Sequence, residues 1–308
     1  MRPRRVRIYE VGPRDGLQNE STPVATADKI AFVNALSGAG HRAIEVSAFV
    51  SPKWVPQMAD AAELFAGITR KPGVRYSALV PNLAGLSRAM DAGVDEVAVF
   101  AAASESFSRK NINQDIKSSL ETYRQVCEAA RNAGLPVRGY VSTAFGCPFE
   151  GPVDPAAVAG VSAALVEMGV YEVAVSDTIG IAHPGQVPGV VGAVAERISR
   201  DKIALHFHDT RGTALANVLA ALDLGIATFD ASAGGLGGCP YAPGATGNLA
   251  TEDLLYMLDG LGIETGVSLD GVLAASQAIE SKLGHPLASR YATAARAATR
   301  RTSPPASS

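Results

Sequence analysis

The feature that most constrains this chain is a regular alternation. Strand-like apolar runs occur at Val6–Val11, Ala43–Ser47, Val74–Val80, Glu96–Phe100, Pro136–Thr143, Glu172–Ser176, Ile203–His208 and Ile226–Ser232. Ala-rich helical patterns separate them, as in Ala27–Ala39, Ser118–Ala133, Asp154–Met168 and Gly212–Leu224. Gly40, Gly93, Gly134, Gly169 and Gly225 each stand where a helix C-cap is expected. Asp154-Pro155 reads as an N-cap followed by proline in the first turn. Eight such units of roughly 30 residues predict an α/β fold, a (β/α)8 TIM barrel, with extra C-terminal helix around Leu273–Leu283. A doubly wound sheet is the alternative, but the GxGxxG that usually follows its first strand is absent. One catalytic domain is expected over residues 1–300, with 301–308 as a disordered tail.

Composition narrows the partners. The 308 residues are 47% apolar and 19% charged, enough for a sizeable core. A net charge of −3 offers no basic footprint for nucleic acid and no field for a membrane surface. No apolar run approaches the roughly 20 residues that cross a bilayer. The three cysteines, Cys127, Cys147 and Cys239, form no CxxC pattern, which suggests a reduced, cytoplasmic compartment. The basic start, Met1-Arg2-Pro3-Arg4-Arg5, leads straight into a strand, with no apolar signal core.

Three motifs carry chemistry. Gly234 to Asn248 packs six glycines, Cys239 and a carboxamide into fifteen residues, as suits a loop that folds over a ligand. The bland reading is a flexible linker. Gly12-Pro13-Arg14-Asp15-Gly16-Leu17-Gln18-Asn19-Glu20 follows the first strand directly. His206 and His208 close the seventh. Residues i and i+2 of a strand share a face, so the two imidazoles form a natural pair of metal ligands. In a barrel, strand C-terminal ends face one mouth. Arg14, Asp15, Glu45, Ser176, Asp177, Thr178, His206, His208, Cys239 and Asn248 would all converge there.

These segments, with Phe49 to Met58, Lys110-Asn111-Ile112-Asn113, Arg138 to Ser142 and Asp177-Thr178-Ile179-Gly180, resemble the 3-hydroxy-3-methylglutaryl-CoA lyases from about Val6 to His285. The resemblance implies a divalent cation, Mg²⁺ or Mn²⁺, on Asp15, His206, His208 and Asn248. It makes Arg14 and Cys239 catalytic and Glu45 a supporting glutamate. It points to Gln18, Asn111, Arg138, Ser176, Asp177 and Thr178, with Arg14, for substrate and CoA. The implied reaction is a retro-Claisen cleavage of an acyl-CoA by a homodimer or other homo-oligomer. The cation would lower the pKa of the tertiary hydroxyl, Arg14 would stabilise the enolate, and Cys239 would move a proton.

Each residue also has a plainer reading. Asp15 could cap a turn, and Cys239 could be a small buried hydrophobe. Cys127 and Cys147 read as packing, and His41 and His285 as structural. Glu45 is a lone carboxylate in an apolar strand, expensive to bury unless paired, for instance with Arg14. Many relatives carry Lys at the position of Ser21; here Lys53, Arg109, Lys110 and Arg138 are left to meet CoA phosphates. His183 would touch the acyl group or cap the next helix. The alternative reading is a Claisen-condensing synthase of the same superfamily, though such chains usually extend further. A Schiff-base aldolase would need a lysine near a strand's C-terminal end, and Lys202 opens its strand. A non-catalytic binding barrel would not require the full ligand set.

Overall fold

The computed structural model describes residues 1–238 and 247–302. Cys239 lies outside the described residues, as does the expected tail beyond Thr302. Eight parallel strands close into a barrel: β1 (Arg7–Glu10), β2 (Ala43–Ala48), β3 (Arg75–Leu79), β4 (Glu96–Ala102), β5 (Val137–Ser142), β6 (Glu172–Asp177), β7 (Ile203–Phe207) and β8 (Thr228–Ala231). Closure is direct, because β1 pairs with β8 from Arg7 opposite Thr228 to Glu10 opposite Ala231. That ladder excludes the doubly wound alternative.

The helices are α1 (Thr26–Gly38), α2 (Ala61–Gly67), α3 (Leu83–Asp91), α4 (Glu105–Ile112), α5 (Ile116–Asn132), α6 (Pro155–Glu167), α7 (Val187–Ala195), α8 (Ala214–Asp223), α9 (Thr251–Gly260), α10 (Leu269–Leu283) and α11 (Arg290–Thr302). Their ends obey local rules. Asp154 accepts the Ala156 N–H ahead of Pro155, and Ser268 accepts that of Gly271. The five glycines expected to stop helices all take left-handed backbone, with φ from +69° to +103°. Helix α11 ends two residues beyond the domain boundary read from the sequence.

The apolar core lies between the barrel and its helices. On β5 the missing Cβ of Gly139 faces Leu165 and Val170, so Val137, Gly139 and Val141 point to the helical layer. Arg138 and Tyr140 therefore point inward. The interior is polar where a barrel is commonly filled with branched aliphatics. Tyr9 donates to Glu96 at 2.6 Å and lies 2.6 Å from the Ser77 hydroxyl, while Arg138 reaches Glu172 and Asp230.

Candidate active site

Three backbone devices assemble the mouth. After β1 the chain makes one wide π-type turn, Gly12–Gly16, in which the Asp15 and Gly16 N–H groups both donate to the Val11 carbonyl. This turn lifts Arg14 and Asp15 over the strand end. Between Glu45 and Ser47, β2 slips one residue against β3, a bulge that aims Glu45 inward. Beyond β7, His208 forms an isolated bridge with Asn248, and the Leu249 N–H donates to the Phe207 carbonyl. The chain returning from the Gly-rich segment is thus pinned beside the histidines. A Cβ on Gly247 would sit 1.5 Å from the Gly237 carbonyl oxygen, so the two ends of that segment touch.

The groups brought together form two joined clusters. In the first, His206 Nε2 and His208 Nε2 lie 3.1 Å apart, and each is 3.9 Å from Asp15 Oδ2. Asn248 Nδ2 donates to Asp15 Oδ2 at 2.9 Å and to the Leu236 carbonyl at 3.0 Å. With the amide nitrogen so engaged, Asn248 Oδ1 is buried without a hydrogen-bond partner among the described residues. A buried acceptor without a donor calls for a ligand. Two imidazole nitrogens, a carboxylate and this amide oxygen fit a divalent cation that keeps open positions. In the second cluster, Arg14 Nε donates to Glu45 Oε2 at 2.5 Å and Nη1 to Asp15 Oδ1 at 2.6 Å. Nη2 donates to no described residue.

Electrostatics follow from burial and these pairs. Burial alone would raise the Asp15 carboxyl, but Arg14 and the two histidines hold it well below the usual range. Glu45 has no exposed surface and sits above its ordinary value because burial outweighs the help of Arg14. Burial and His206 lower His208 to about 4. His206 is also depressed by burial, yet the Asp230 and Asp15 carboxylates together more than compensate and raise it.

A profile of the HMGL-like family matches residues 5–279. The chain is 56% identical over 292 residues to the 3-hydroxy-3-isohexenylglutaryl-CoA/hydroxy-methylglutaryl-CoA lyase of Pseudomonas aeruginosa, covering 95% of this chain and 97% of that one. The chain belongs to the HMGL-like family. A crystal structure of hydroxymethylglutaryl-CoA lyase from Pseudomonas aeruginosa superposes with a TM-score of 0.95 at 56% identity, covering 96% and 99% of the two chains. A lyase from Acinetobacter baumannii, solved with coenzyme A and 3-methylmalate, reaches 0.90 at 41% identity, with 94% and 95% covered.

Other residues read from the sequence sit differently around this HMGL-like mouth. Ser176 is buried and donates to the Ala174 carbonyl. Asp177 accepts the N–H groups of Ile181 and Ala182, closing the loop after β6, and burial raises its carboxyl to about 6. Thr178 Oγ1 accepts the Thr143 N–H at 2.7 Å. Gln18 is partly exposed, and Asn111 is exposed on α4. Arg138 is the correction. It has no exposed surface and is enclosed by Glu172 and Asp230 in the barrel interior, so it is not placed to meet a CoA phosphate. The strand alternation that turns it inward was legible in the sequence, but its salt-bridge partners were not. His183 is exposed, and its N–H bonds the Gln186 side chain just ahead of α7. Cys127 and Cys147 are buried, as expected of packing residues.

The sequence reading passed over Asp230, Tyr140, Glu10 and Glu252. Asp230 Oδ2 lies 3.2 Å from His206 Nδ1, and Tyr140 packs edge-on against the same ring. Glu10 Oε1 accepts the N–H groups of both Gly12 and Ala233, tying the Arg14 turn to the base of the Gly-rich segment. Glu252 holds the Gly234 N–H. The reasoning that singled out Glu45, a carboxylate inside an apolar strand, applies equally to Glu10 and Asp230.

Proposed function

We propose that this mouth performs the retro-Claisen cleavage of 3-hydroxy-3-methylglutaryl-CoA, or a close 3-hydroxy-3-alkyl acyl-CoA. The products are acetyl-CoA and acetoacetate, or the matching 3-oxo acid. One observation carries the reading: an unsatisfied Asn248 oxygen beside Asp15, His206 and His208, adjoining an arginine fixed between Glu45 and Asp15. The lyase names of relatives over nearly the whole chain support it, and the coenzyme A in the Acinetobacter complex supports a CoA thioester.

Cleavage needs the tertiary hydroxyl to lose its proton and become the ketone of acetoacetate. The C2–C3 electron pair passes into the thioester as an enolate, which then takes a proton at carbon. A divalent cation, Mg²⁺ or Mn²⁺, held by Asp15, His206, His208 and Asn248 would supply Lewis acidity toward an alcohol oxygen. Glu45 and Asp15 orient Arg14, and its Nη2 is the donor left to stabilise charge on the thioester oxygen. Because Arg14 is 7% exposed, that charge would be met in a largely water-excluded site. Cys239 is the residue we assign to proton transfer at carbon. Three cysteines without a CxxC pairing suit a reduced cytoplasm, and no helix of the described residues is long and apolar enough to cross a membrane.

The test is acetoacetate release from 3-hydroxy-3-methylglutaryl-CoA with Mg²⁺, with Mn²⁺ and in excess chelator. Turnover that needs the cation is expected, and full activity in chelator would refute the cation's role. The Pseudomonas relative is named for both methyl and isohexenyl branches, so both substrates belong in the assay. Failure on every 3-hydroxy-3-alkylglutaryl-CoA would overturn the reading.

A further inference from the structure

Charges stacked through the barrel beneath the mouth have no role in the reading above. Arg138 Nη2 and Nη1 donate to Asp230 Oδ1 and Oδ2 at 2.6 and 3.2 Å. Its Nε donates to Glu172 Oε1 at 2.9 Å, and its guanidinium lies 4.0 Å from the centre of the Tyr9 ring. The other Glu172 oxygen takes Arg7 near the lower opening. Asp230, Arg138 and Glu172 are at most 2% exposed. Removing these charges from water is costly, and apolar replacements of such pairs are often neutral or stabilising. Stability therefore gives little reason for the stack, whereas its upper end does. There Asp230 Oδ2 meets His206 Nδ1 at 3.2 Å.

An ionised carboxylate only accepts hydrogen bonds. With Arg138 holding both its oxygens, Asp230 can bond His206 only if Nδ1 carries the proton. In the neutral imidazole Nε2 is then the bare lone pair, on the side of Asp15 Oδ2 and His208 Nε2. His208 has no such backing among the described residues, where its Nδ1 is buried without a partner. From this contrast we infer that Asp230 and Arg138 are positioning residues for the cation. Asp230 fixes the tautomer and ring orientation of His206, and Arg138 fixes Asp230. His206 is thus a pre-set ligand, while His208 is set only when the cation arrives. The inference rests on the cation reading of the mouth.

Two measurements test it and keep the two readings apart. The first uses the wild-type, metal-free protein with ¹⁵N-labelled histidine, at a pH high enough that the His206 ring is neutral. With five histidines in the chain, long-range ¹⁵N–¹H correlations can be assigned by loss of one signal in His206→Asn. A single Nδ1–H tautomer is expected for His206, and an Nε2–H tautomer overturns the inference. The second is Mn²⁺ binding followed by electron paramagnetic resonance. In Asp230→Asn the amide oxygen stays with Arg138, so the amide N–H turns to His206 and inverts its tautomer. Mn²⁺ affinity should fall about 10- to 100-fold, the usual scale for losing such a partner. Arg138→Gln should fall in the same direction. Folded variants that hold Mn²⁺ within about twofold of wild type would refute the positioning role. If the variants do not fold, the wild-type tautomer still decides. Failure of the wild type to bind Mn²⁺ would refute the cation reading, and the inference with it, whatever the tautomer. Normal Mn²⁺ binding with the wrong tautomer would refute the positioning role alone.

Discussion

At the scale of single residues, the mouth as proposed divides labour between charge and ligation. Arg14 is held at two of its nitrogens, so Arg14→Met removes an oriented donor rather than a mobile surface charge. A kcat loss of more than about a hundredfold is expected, the scale of losing one oxyanion donor. Steady-state kinetics on 3-hydroxy-3-methylglutaryl-CoA check it, and a change confined to KM would make Arg14 a binding residue only. His208→Ala opens one corner of the proposed ligand set and should weaken Mn²⁺ binding by an order of magnitude or more, read by titration calorimetry. Glu45 was legible from sequence because an unpaired carboxylate is expensive inside an apolar strand. Its partner became certain only when the Gly12–Gly16 turn placed Arg14 within 2.5 Å.

At the scale of elements, helix ends and strand periods are local properties, and they read well. Asp154 caps α6 as its Asp-Pro signature predicts. Asp154→Ala should cost about 1 kcal/mol in urea unfolding while leaving kcat unchanged, because the cap serves the helix and touches nothing at the mouth. The Arg14 turn behaves differently. A Cβ on Gly16 would lie 2.8 Å from Leu236 Cβ and 2.9 Å from Ser232 Oγ. Gly16→Ala therefore forces the turn away from the base of the Gly-rich segment and takes Asp15 with it. We expect Mn²⁺ affinity and kcat to fall together, beyond a stability loss of about 1–3 kcal/mol. Normal Mn²⁺ binding in a folded Gly16→Ala protein would show that the turn yields without moving Asp15. The β2 bulge and the His208–Asn248 bridge have no comparable local signature, because each is a relation between segments distant in sequence.

At the scale of the whole molecule, two buried carboxylates fasten the Gly12–Gly16 turn and the base of the Gly-rich segment to the C-terminal helices. Burial raises Glu10 and Glu252 from an ordinary 4.5 to about 7 each, against the pull of the N–H and hydroxyl groups they accept. The unfolded chain ionises these groups near 4.5, whereas the native fold keeps their protons until about 7. Between those values the native state binds more protons, so stability falls as pH rises through the window. Each group contributes on the order of a few kcal/mol. Thermal unfolding from pH 5 to 8 should show the decline, and Glu10→Gln, which cannot ionise, should make it shallower. An unchanged pH profile in Glu10→Gln would assign the decline to other groups.

What the sequence determined by itself is what short-range physics controls. The alternation, the capped helix ends, the Gly stops and the inward face shared by His206 and His208 each depend on a few neighbouring residues. Barrel closure, and with it the fate of every inward polar group, was decided in three dimensions. Arg138 illustrates the difference. Its strand position was readable, but its partners Glu172 and Asp230 are brought to it across strands by register and closure, 34 and 92 residues away. Those pairings consign Arg138 to the interior and back His206 with a carboxylate. A linear chain carries no term that matches such groups until closure places them in one low-dielectric space, where an unmatched charge or acceptor becomes too costly to leave alone.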